Sequence, residues 1–428
     1  MSQTENTSLW REVYAKGVQA AAESLGQAET IELTERYGTH NYHPLPVTIV
    51  RGEGPYVEDV SGKIYIDCVG SYSAMAHGHL SKFVVGAAQR QLERLTLTSR
   101  AVFTRELALF LQAVCEYTGA DMACPMNTGA EAVETAIKLA RKWAYTVKGV
   151  PSDAAEIIVA AGNFHGRTTT IVGFSSEETY RTGFGPFTPG FTIVPFGDLA
   201  ALEAAITSNT AAVLLEPIQA EAGILLPPDG FLAATRKVCT AANVLLIWDE
   251  IQTGFARTGK RFAWMHEDAA PDMICLGKAL GGGLAAVSAV AGRREVMEVF
   301  KSGDHGSTFG GNPLAAVIGV AAMAELEVLN LAENSRVMGD RLIEGFRSLQ
   351  HPAIFEVRGR GLLVGLEVKP GTDIARLTKA FLAEGVLTKE TRHRTFRFAP
   401  PLTIGPAVVD DILNRVHHAL ETLPNMGA

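Results

Sequence analysis

Short apolar runs alternate with longer stretches of helical periodicity through the middle of this chain. Four of the runs are brief, rich in Leu or β-branched residues, and end at a polar residue or glycine, which is typical of buried strands. They cover Glu156–Gly162, Thr210–Pro217, Asn243–Glu250 and Asp272–Lys278. Between the second and third runs, Asp229–Ala242 carries apolar residues at helical spacing. Strands that alternate with helices predict an α/β fold with a mostly parallel sheet covered by helices on both faces.

The two ends of the chain follow a different order. Leu314–Leu329 predicts a long Ala-rich helix, and after it come FEVRGRGLLVGLEV, another helix and FRFAPPLTI, which is typical of a separate α+β domain. The first part holds a helix, the loop YGTHNYHPLPV and a hairpin-like stretch. We therefore predict an N-terminal segment over residues 1–72, a large domain over 73–318 and a small C-terminal domain over 319–428.

Composition and charge narrow the classes of function. The net charge is −8 and no basic block occurs among the 428 residues, so nucleic acid is not an expected partner. The five cysteines are scattered without a CxxC pair, which favours reduced thiols in a cytoplasmic protein over disulfides or a zinc site. The polar N-terminus does not look like a secretory signal, and no apolar run reaches the length of a membrane span.

Two charged residues follow neighbouring predicted strands, where ligands of such sheets bind. Asp249 follows VLLIW, and alone it either caps a helix or pairs with a protonated ring nitrogen of a cofactor. Lys278 follows the next strand and precedes three glycines, which suits a lysine that forms a Schiff base beside a planar ligand. A phosphate-binding P-loop is excluded, because Asp272 replaces its first glycine and Ala279 its Ser or Thr.

Two further segments suit an anionic, flat ligand. Thr128 and Gly129 precede an amphipathic helix whose free N–H groups can bind phosphate, and Thr128 can also simply cap that helix. Thr308, among glycines in HGSTFGGNP, offers a second phosphate contact. In GNFHGRT, Phe164 either stacks on a ring or packs in the core, and Arg167 either grips a carboxylate or lies on the surface. No HExxH or GxSxG motif supports a metal site or a hydrolase.

Taken in order, these motifs resemble the class III aminotransferases, a fold-type I family that depends on pyridoxal 5′-phosphate. The resemblance covers nearly the whole chain and is carried by NTGAEAVETAIKLAR, EPIQAEAG, WDEIQTGFARTG, LGKALGGG and HGSTFGGNPLA. Within the family, YGTHNYHPLPV, LTLTSRA, GNFHGRT and FRFAPPL are similar to the ornithine aminotransferases. This implies transfer of the δ-amino group of L-ornithine to 2-oxoglutarate, which gives glutamate-5-semialdehyde and glutamate.

The resemblance also assigns roles at the cofactor. Lys278 would form the Schiff base and move the proton, and Asp249 would hold the ring nitrogen. Thr308 would reach in from a second subunit, which implies a homodimer or a larger assembly of dimers. The positions that would contact the cofactor are Gly129, Ala130, Phe164, His165, Asp249, Gln252, Lys278 and Thr308.

Five more positions would contact the substrates. Tyr37 and Arg167 would hold the amino acid end of ornithine, with Tyr72 nearby. Arg397 would hold the α-carboxylate of 2-oxoglutarate or glutamate, and Glu221 would pair with Arg397 in between. No metal is implied.

The chain departs from the family pattern at three places, and two of them, His165 and Ala220, bear on substrate preference. His165 stands where an aromatic commonly follows the stacking Phe, Ala220 stands where glycine is usual, and GHLSKF replaces a His-Pro region. The alternatives are therefore an acetylornithine, 4-aminobutyrate or lysine ε-aminotransferase, or a non-catalytic relative that keeps the fold. Tyr37 with Arg167 favours free ornithine, since an acylated substrate offers no free α-amine. Lys278 with Asp249 argues against a non-catalytic protein.

Overall fold

The computed structural model describes residues 3–392 and 394–423. They fall into two compact units: residues 3–52 with Tyr56–Tyr65, and Glu53–Pro55 with residues 66–392 and 394–423. The boundaries that we place near residues 72 and 318 stay predictions.

The smaller unit is built from three helices followed by short strands. Its elements are α1 (Gln3–Lys16), α2 (Val18–Glu23), α3 (Gln27–Tyr37), β1 (Ile49–Glu53), β2 (Tyr56–Asp59) and the start of β3 (Ile64–Asp67). The turn after β2 is held by Asp59, whose carboxylate accepts hydrogen bonds from the hydroxyls of Ser61 and Tyr65 at 2.6 and 2.8 Å. The hydrogen bond from Ser61 is the main cause that lowers the pKa of Asp59 to about 2. The sequence predicted one helix here, and the structure has three.

A seven-stranded sheet forms the centre of the larger unit. Its strands are β4 (Met122–Met126), β5 (Glu156–Ala160), β6 (Phe191–Val194), β7 (Thr210–Leu215), β8 (Leu245–Asp249), β9 (Met273–Leu276) and β10 (Ser288–Gly292). The spatial order is β4-β10-β9-β8-β7-β5-β6. Strands β6, β5, β7, β8 and β9 run parallel to one another, and β10 is antiparallel to both β9 and β4. The predicted mostly parallel sheet is confirmed.

Helices cover both faces of this sheet, as the alternation of side chains along its strands requires. The helices of this part of the chain are α4 (Gly70–Ser73), α5 (Lys82–Leu92), α6 (Arg105–Thr118), α7 (Gly129–Trp143), α8 (Thr169–Gly173), α9 (Glu178–Arg181), α10 (Leu199–Ala205), α11 (Phe231–Ala241) and α12 (Arg294–Met297). In β8, Leu245 and Ile247 join the buried cluster of α7, whereas Leu246 and Trp248 join the cluster of α11. Burial on both faces explains why β8 is apolar without alternation.

The C-terminal part adds long helices and a second sheet, as the sequence predicted. The elements are α13 (Pro313–Val328), α14 (Leu331–Ser348), β11 (Ile354–Arg360), β12 (Leu363–Val368), α15 (Ile374–Ala383), β13 (Val386–Leu387), β14 (Lys389–Thr391), β15 (Thr395–Phe398) and α16 (Pro406–Glu421). The sheet is antiparallel in the order β11-β12-β15-β14, and its register places Gly365 opposite Arg397.

Among the described residues, no single helix is long and apolar enough to cross a membrane, and the bent pair of α13 and α14 meets the length and composition requirement only when both are counted together.

Candidate active site

Five chain segments meet in a cavity of about 210 Å³ at the carboxyl ends of the parallel strands. Such strand ends are where sheets of this kind bind ligands. The cavity is lined by Gly129, Ala130, Phe164, His165, Gly166, Glu216, Asp249, Ile251, Gln252, Thr253 and Lys278. The structure thus brings together all the predicted cofactor contacts except Thr308.

Asp249, the last residue of β8, is held in place from two directions. It is 4% exposed, and its Oδ2 accepts a hydrogen bond from Nδ1 of His165 at 2.7 Å. The backbone N–H of Ile251 donates to Oδ1 at 3.1 Å, which fixes the turn after the strand. Burial alone lowers the pKa of His165, but the hydrogen bond and the charge of Asp249 outweigh it, so the pKa is raised. The hydrogen bond from Nδ1 of His165 therefore supports the negative charge of Asp249.

Glu216 is a further buried carboxyl at this edge, and the sequence analysis missed it. Its Oε2 accepts a hydrogen bond from the backbone N–H of Phe164 at 3.0 Å. Burial, with the nearby charge of Asp249, raises the pKa of Glu216 to about 7, although His165 opposes that shift. The signal was present in the sequence, since Glu216 follows the apolar run of β7 as Asp249 ends that of β8.

Lys278 lies just beyond β9 and lines the same cavity. Its backbone adopts the left-handed conformation, with φ of +45°, which is uncommon for a residue with a side chain. Burial lowers the pKa of its amine, and the charge of Arg397 adds to that effect while Glu221 opposes it. A lowered pKa raises the fraction of the neutral amine, which is the form that attacks a carbonyl.

The N-terminus of α7 presents free N–H groups to the cavity. Thr128 caps the helix and forms a capping box with Glu131, so the capping role is confirmed. The next residues, Gly129 and Ala130, line the cavity. A Cβ on Gly129 would lie 3.1 Å from the side chain of Ile251, so a larger residue would crowd this helix end. Backbone N–H groups and the helix dipole make such an end favourable for an anion such as phosphate.

A second cluster of polar side chains surrounds Arg397. This arginine lies in β15 and is 3% exposed. Its Nη1 donates to Oε1 of Glu221 at 2.5 Å and to Oε1 of Gln252 at 3.2 Å. The amide of Gln252 also donates to Glu221 at 3.1 Å, and Ser73 donates to Oε1 of Gln252 at 3.2 Å. Burial tends to raise the pKa of Glu221, but the charge of Arg397 overcomes it and lowers the pKa. The predicted pair of Glu221 and Arg397 therefore exists as an ion pair.

Two predicted substrate residues lie near these clusters. Tyr72 places its ring centroid 5.1 Å from Cζ of Arg397, within the range of a cation–π contact. Arg167 is exposed, and its Cζ lies 3.8 Å from the ring centroid of Tyr180 and 5.5 Å from that of Phe164. Phe164 itself lines the cavity. The carboxylate-binding role of Arg167 stays a prediction.

The remaining two predicted residues are Thr308 and Tyr37. Thr308 is exposed, in a loop where the neighbouring Ser307 accepts a hydrogen bond from Asn127 at 2.9 Å. Tyr37 ends α3 in the smaller unit and is 64% exposed. The roles that we predict for these two side chains stay predictions.

Comparison with known proteins identifies the class to which this arrangement belongs. The family model for class III aminotransferases matches residues 37–420, and the chain belongs to that family. An ornithine aminotransferase of Brevibacillus brevis is 52% identical over 391 residues, which cover 91% of this chain and 97% of the relative. A solved ornithine aminotransferase of Toxoplasma gondii is 40% identical with a TM-score of 0.92 and covers 94% of this chain and 97% of its own. A solved acetylornithine aminotransferase of Elizabethkingia anophelis is 41% identical with a TM-score of 0.85 over 93% and 99% of the two chains.

Enzymes of this family use pyridoxal 5′-phosphate, and the cavity fits that group. The Toxoplasma structure shows partial occupancy of this cofactor at its active site. In the present chain, a lysine and a carboxylate line one cavity together with a half-buried phenylalanine and an open helix N-terminus. These groups match the aldehyde, the ring nitrogen, the ring face and the phosphate of the cofactor. The predicted cofactor and enzyme class are thereby confirmed.

Proposed function

We propose that this chain is an ornithine δ-aminotransferase that moves the δ-amino group of L-ornithine to 2-oxoglutarate. The observation that carries the proposal is the buried ion pair of Arg397 with Glu221 beside the cofactor cavity. Ornithine reacts at its δ-amine, so its α-carboxylate stays far from the reacting carbon, whereas glutamate brings its α-carboxylate close. A site that serves both must bind a carboxylate at Arg397 in one half-reaction only, and a buried unpaired guanidinium is costly.

The residues around the cavity divide the work on the cofactor. When bound, pyridoxal 5′-phosphate supplies an aldehyde that takes up the amino group and a ring that accepts electrons. Nζ of Lys278 would hold the aldehyde carbon and carry a proton to and from the carbon that bears the transferred amine. The carboxylate of Asp249 would accept a hydrogen bond from the ring nitrogen and keep it protonated. Phe164 would cover the ring, and the N-terminal amides of α7 would bind the phosphate.

Arg397 and Glu221 would alternate between two partners. With ornithine bound, Glu221 neutralises Arg397, as it does in the structure. With 2-oxoglutarate or glutamate bound, the α-carboxylate would take the place of Glu221 on the guanidinium. Gln252 forms hydrogen bonds with both side chains and would hold them in place. It would also contact the phenolic oxygen of the cofactor.

The proposal extends to assembly and location. We propose a homodimer in the cytoplasm in which Thr308 contributes to the phosphate site of the partner subunit. Support comes from the exposed position of Thr308 and from the scattered free cysteines.

A second candidate is an acetylornithine aminotransferase, favoured by the 41% identity to the Elizabethkingia enzyme. A panel of amine donors with 2-oxoglutarate as acceptor separates the two. We expect turnover with L-ornithine to exceed turnover with N-acetylornithine, 4-aminobutyrate and L-lysine. A clear preference for N-acetylornithine would contradict the proposal, because that substrate has no free α-amine for Tyr37 to meet.

The role of Tyr37 gives a sharper test of the donor. We expect Tyr37→Phe to lower kcat/KM for ornithine by an amount that corresponds to roughly 1–3 kcal/mol. This is the usual cost of leaving a buried polar or charged group without its partner. The variant should affect 4-aminobutyrate much less, because that donor has no α-amine to lose a contact. The measurement is kcat/KM for both donors in wild type and variant. Tyr42→Phe, an exposed tyrosine of the following loop, is the control and should change neither. Parallel losses for both donors would mean that Tyr37 is structural.

A further inference from the structure

Arg257 is a fully buried arginine that the proposed reaction does not use. It is 1% exposed, and none of the described carboxylates forms an ion pair with it. Its Nη1 donates to the backbone carbonyls of Leu362 and Pro400 at 3.0 and 2.6 Å. Its Nε and Nη2 have no hydrogen-bond partner among the described residues. A buried cation without a counter-ion costs free energy, so its retention calls for a role beyond packing.

The two carbonyls mark where Arg257 acts. Leu362 immediately precedes β12, and Pro400 lies two residues beyond the end of β15. These strands are paired, with Val364 opposite Phe398 and Gly365 opposite Arg397. Arg257 therefore joins the ends of the two strands whose register places Arg397.

The backbone at Arg257 makes the same connection by a second route. Its carbonyl accepts a hydrogen bond from Oγ of Ser335 at 2.9 Å, and that oxygen accepts one from the N–H of Leu362 at 3.1 Å. Gly361 has φ of +56°, and a Cβ there would lie 2.7 Å from the carbonyl oxygen of Arg257. A Cβ on Gly339 would lie 2.1 Å from the carbonyl oxygen of Gly361. Such close approach leaves the contact of Arg257 with Leu362 and Pro400, which we call the joint, little freedom to shift.

The positive charge of Arg257, like its hydrogen bonds, acts on the surroundings of Arg397. Burial lowers the pKa of Arg257 to about 9, and the neighbouring charge of Arg397 contributes to that shift. Two guanidinium groups therefore share one buried region. Of these two, only Arg397 has a carboxylate partner among the described residues, and that partner is Glu221. When Glu221 leaves Arg397, an incoming carboxylate would meet the field of both cations.

We infer that Arg257 is a positioning residue for the carboxylate subsite: it joins the ends of β12 and β15, fixes Arg397, and adds uncompensated positive charge that favours the carboxylate of the 2-oxo acid. The inference rests on the proposed function, since it assigns to Arg397 the binding of that carboxylate. Arg257 would thus bear on the acceptor half-reaction and hardly on the ornithine half-reaction.

Substitution of Arg257 tests this role. We expect Arg257→Met to slow the half-reaction with 2-oxoglutarate by roughly 3- to 30-fold, the scale of coupling through a neighbouring residue. The half-reaction with ornithine should change by less than about threefold. Glutarate, a dicarboxylate that cannot react, should bind the holoenzyme more weakly to a similar extent in calorimetry. Arg257→Lys, which keeps the charge but loses the planar fork, should fall between wild type and Arg257→Met.

Arg394→Met is the matched control. Arg394 donates to the carbonyl of Val368 at the other end of β12 and to Glu367, but it does not touch the joint at Leu362 and Pro400. It should leave the ratio of the two half-reactions unchanged.

Two results would overturn the inference. One is an equal loss in both half-reactions, and the other is unchanged glutarate binding in a folded Arg257 variant. If Arg257→Met does not fold, the same comparison is made on Arg257→Lys. If the wild type rejects ornithine, the amine half-reaction is measured with the donor it prefers. A selective loss on the acceptor side would then support the role of Arg257 while the donor assignment failed.

Discussion

Replacement of Lys278 by alanine is expected to abolish measurable transamination. The variant loses both the covalent attachment of the cofactor and the base that moves the proton, and a positioned acid or base alone contributes about 10²–10⁴-fold in rate. No other lysine lines the cavity in the part of the chain that the structure describes. Arg397 cannot take over, because a guanidinium has no acceptor for a proton.

Trapping of the covalent bond checks this expectation without relying on turnover. Treatment with borohydride, followed by peptide mass spectrometry, should find the reduced cofactor on the peptide that contains Lys278 in wild type and on no peptide in the variant. Lys237→Ala, on the exposed side of α11, should behave as wild type in both measurements. Retained turnover in Lys278→Ala, or labelling of another lysine in wild type, would refute the assignment.

The second large effect is expected at Arg397. Arg397→Ala should damage the half-reaction with 2-oxoglutarate by roughly 2–5 kcal/mol, the cost of truncating one partner of a buried, hydrogen-bonded charge pair. The half-reaction with ornithine should suffer far less, because in that state the proposal pairs the guanidinium with Glu221, as in the structure, and not with a substrate carboxylate. Single-turnover rates of the two halves, measured separately, give the comparison. Arg341→Ala, which removes an exposed arginine paired with Asp410, is the control.

Glu221→Ala should act in the opposite direction on the same site. Without the carboxylate, Arg397 is left unmasked, so glutamate should compete better with ornithine as the amino donor. The ratio of kcat/KM for the two donors is the measurement. If Arg397→Ala harmed both halves equally, or if Glu221→Ala left the donor ratio unchanged, the alternation of partners would be wrong.

The sequence predicted those site residues that lie at the ends of strands. Asp249 and Lys278 each follow an apolar run, and parallel strands bring such ends to one edge of a sheet, so their meeting needed no knowledge of register. The hydrogen bond between His165 and Asp249 was not predicted, although His165 was noted as a departure from the family. It spans 84 positions and depends on how β5 and β8 lie in the sheet, which a local pattern does not contain.

Other features were missed for different physical reasons. Strand β10 lies in a stretch of Gly and Ala, where small residues hide the signal that β-branched residues give elsewhere. Arg257 looks like an ordinary loop arginine in the sequence, and its side chain contacts Leu362 and Pro400, which are far away along the chain. The pair of Glu221 and Arg397 was predicted from the family resemblance alone, and the structure confirms the contact.

The position of β10 has a consequence for how the protein is made. Strand β4 leads into α7, whose N-terminus is the proposed phosphate site. Among the described strands β4 pairs only with β10, and Ser288–Gly292 of β10 lie far along the chain from Met122–Met126. Pairings between such distant segments form slowly, because a long loop must close before they gain any contacts. During synthesis, β4 therefore gains its partner in the sheet only after the chain has grown past β10. A nascent chain that stalls earlier leaves the strand before α7 without its neighbour, and unpaired strand edges of this kind favour aggregation.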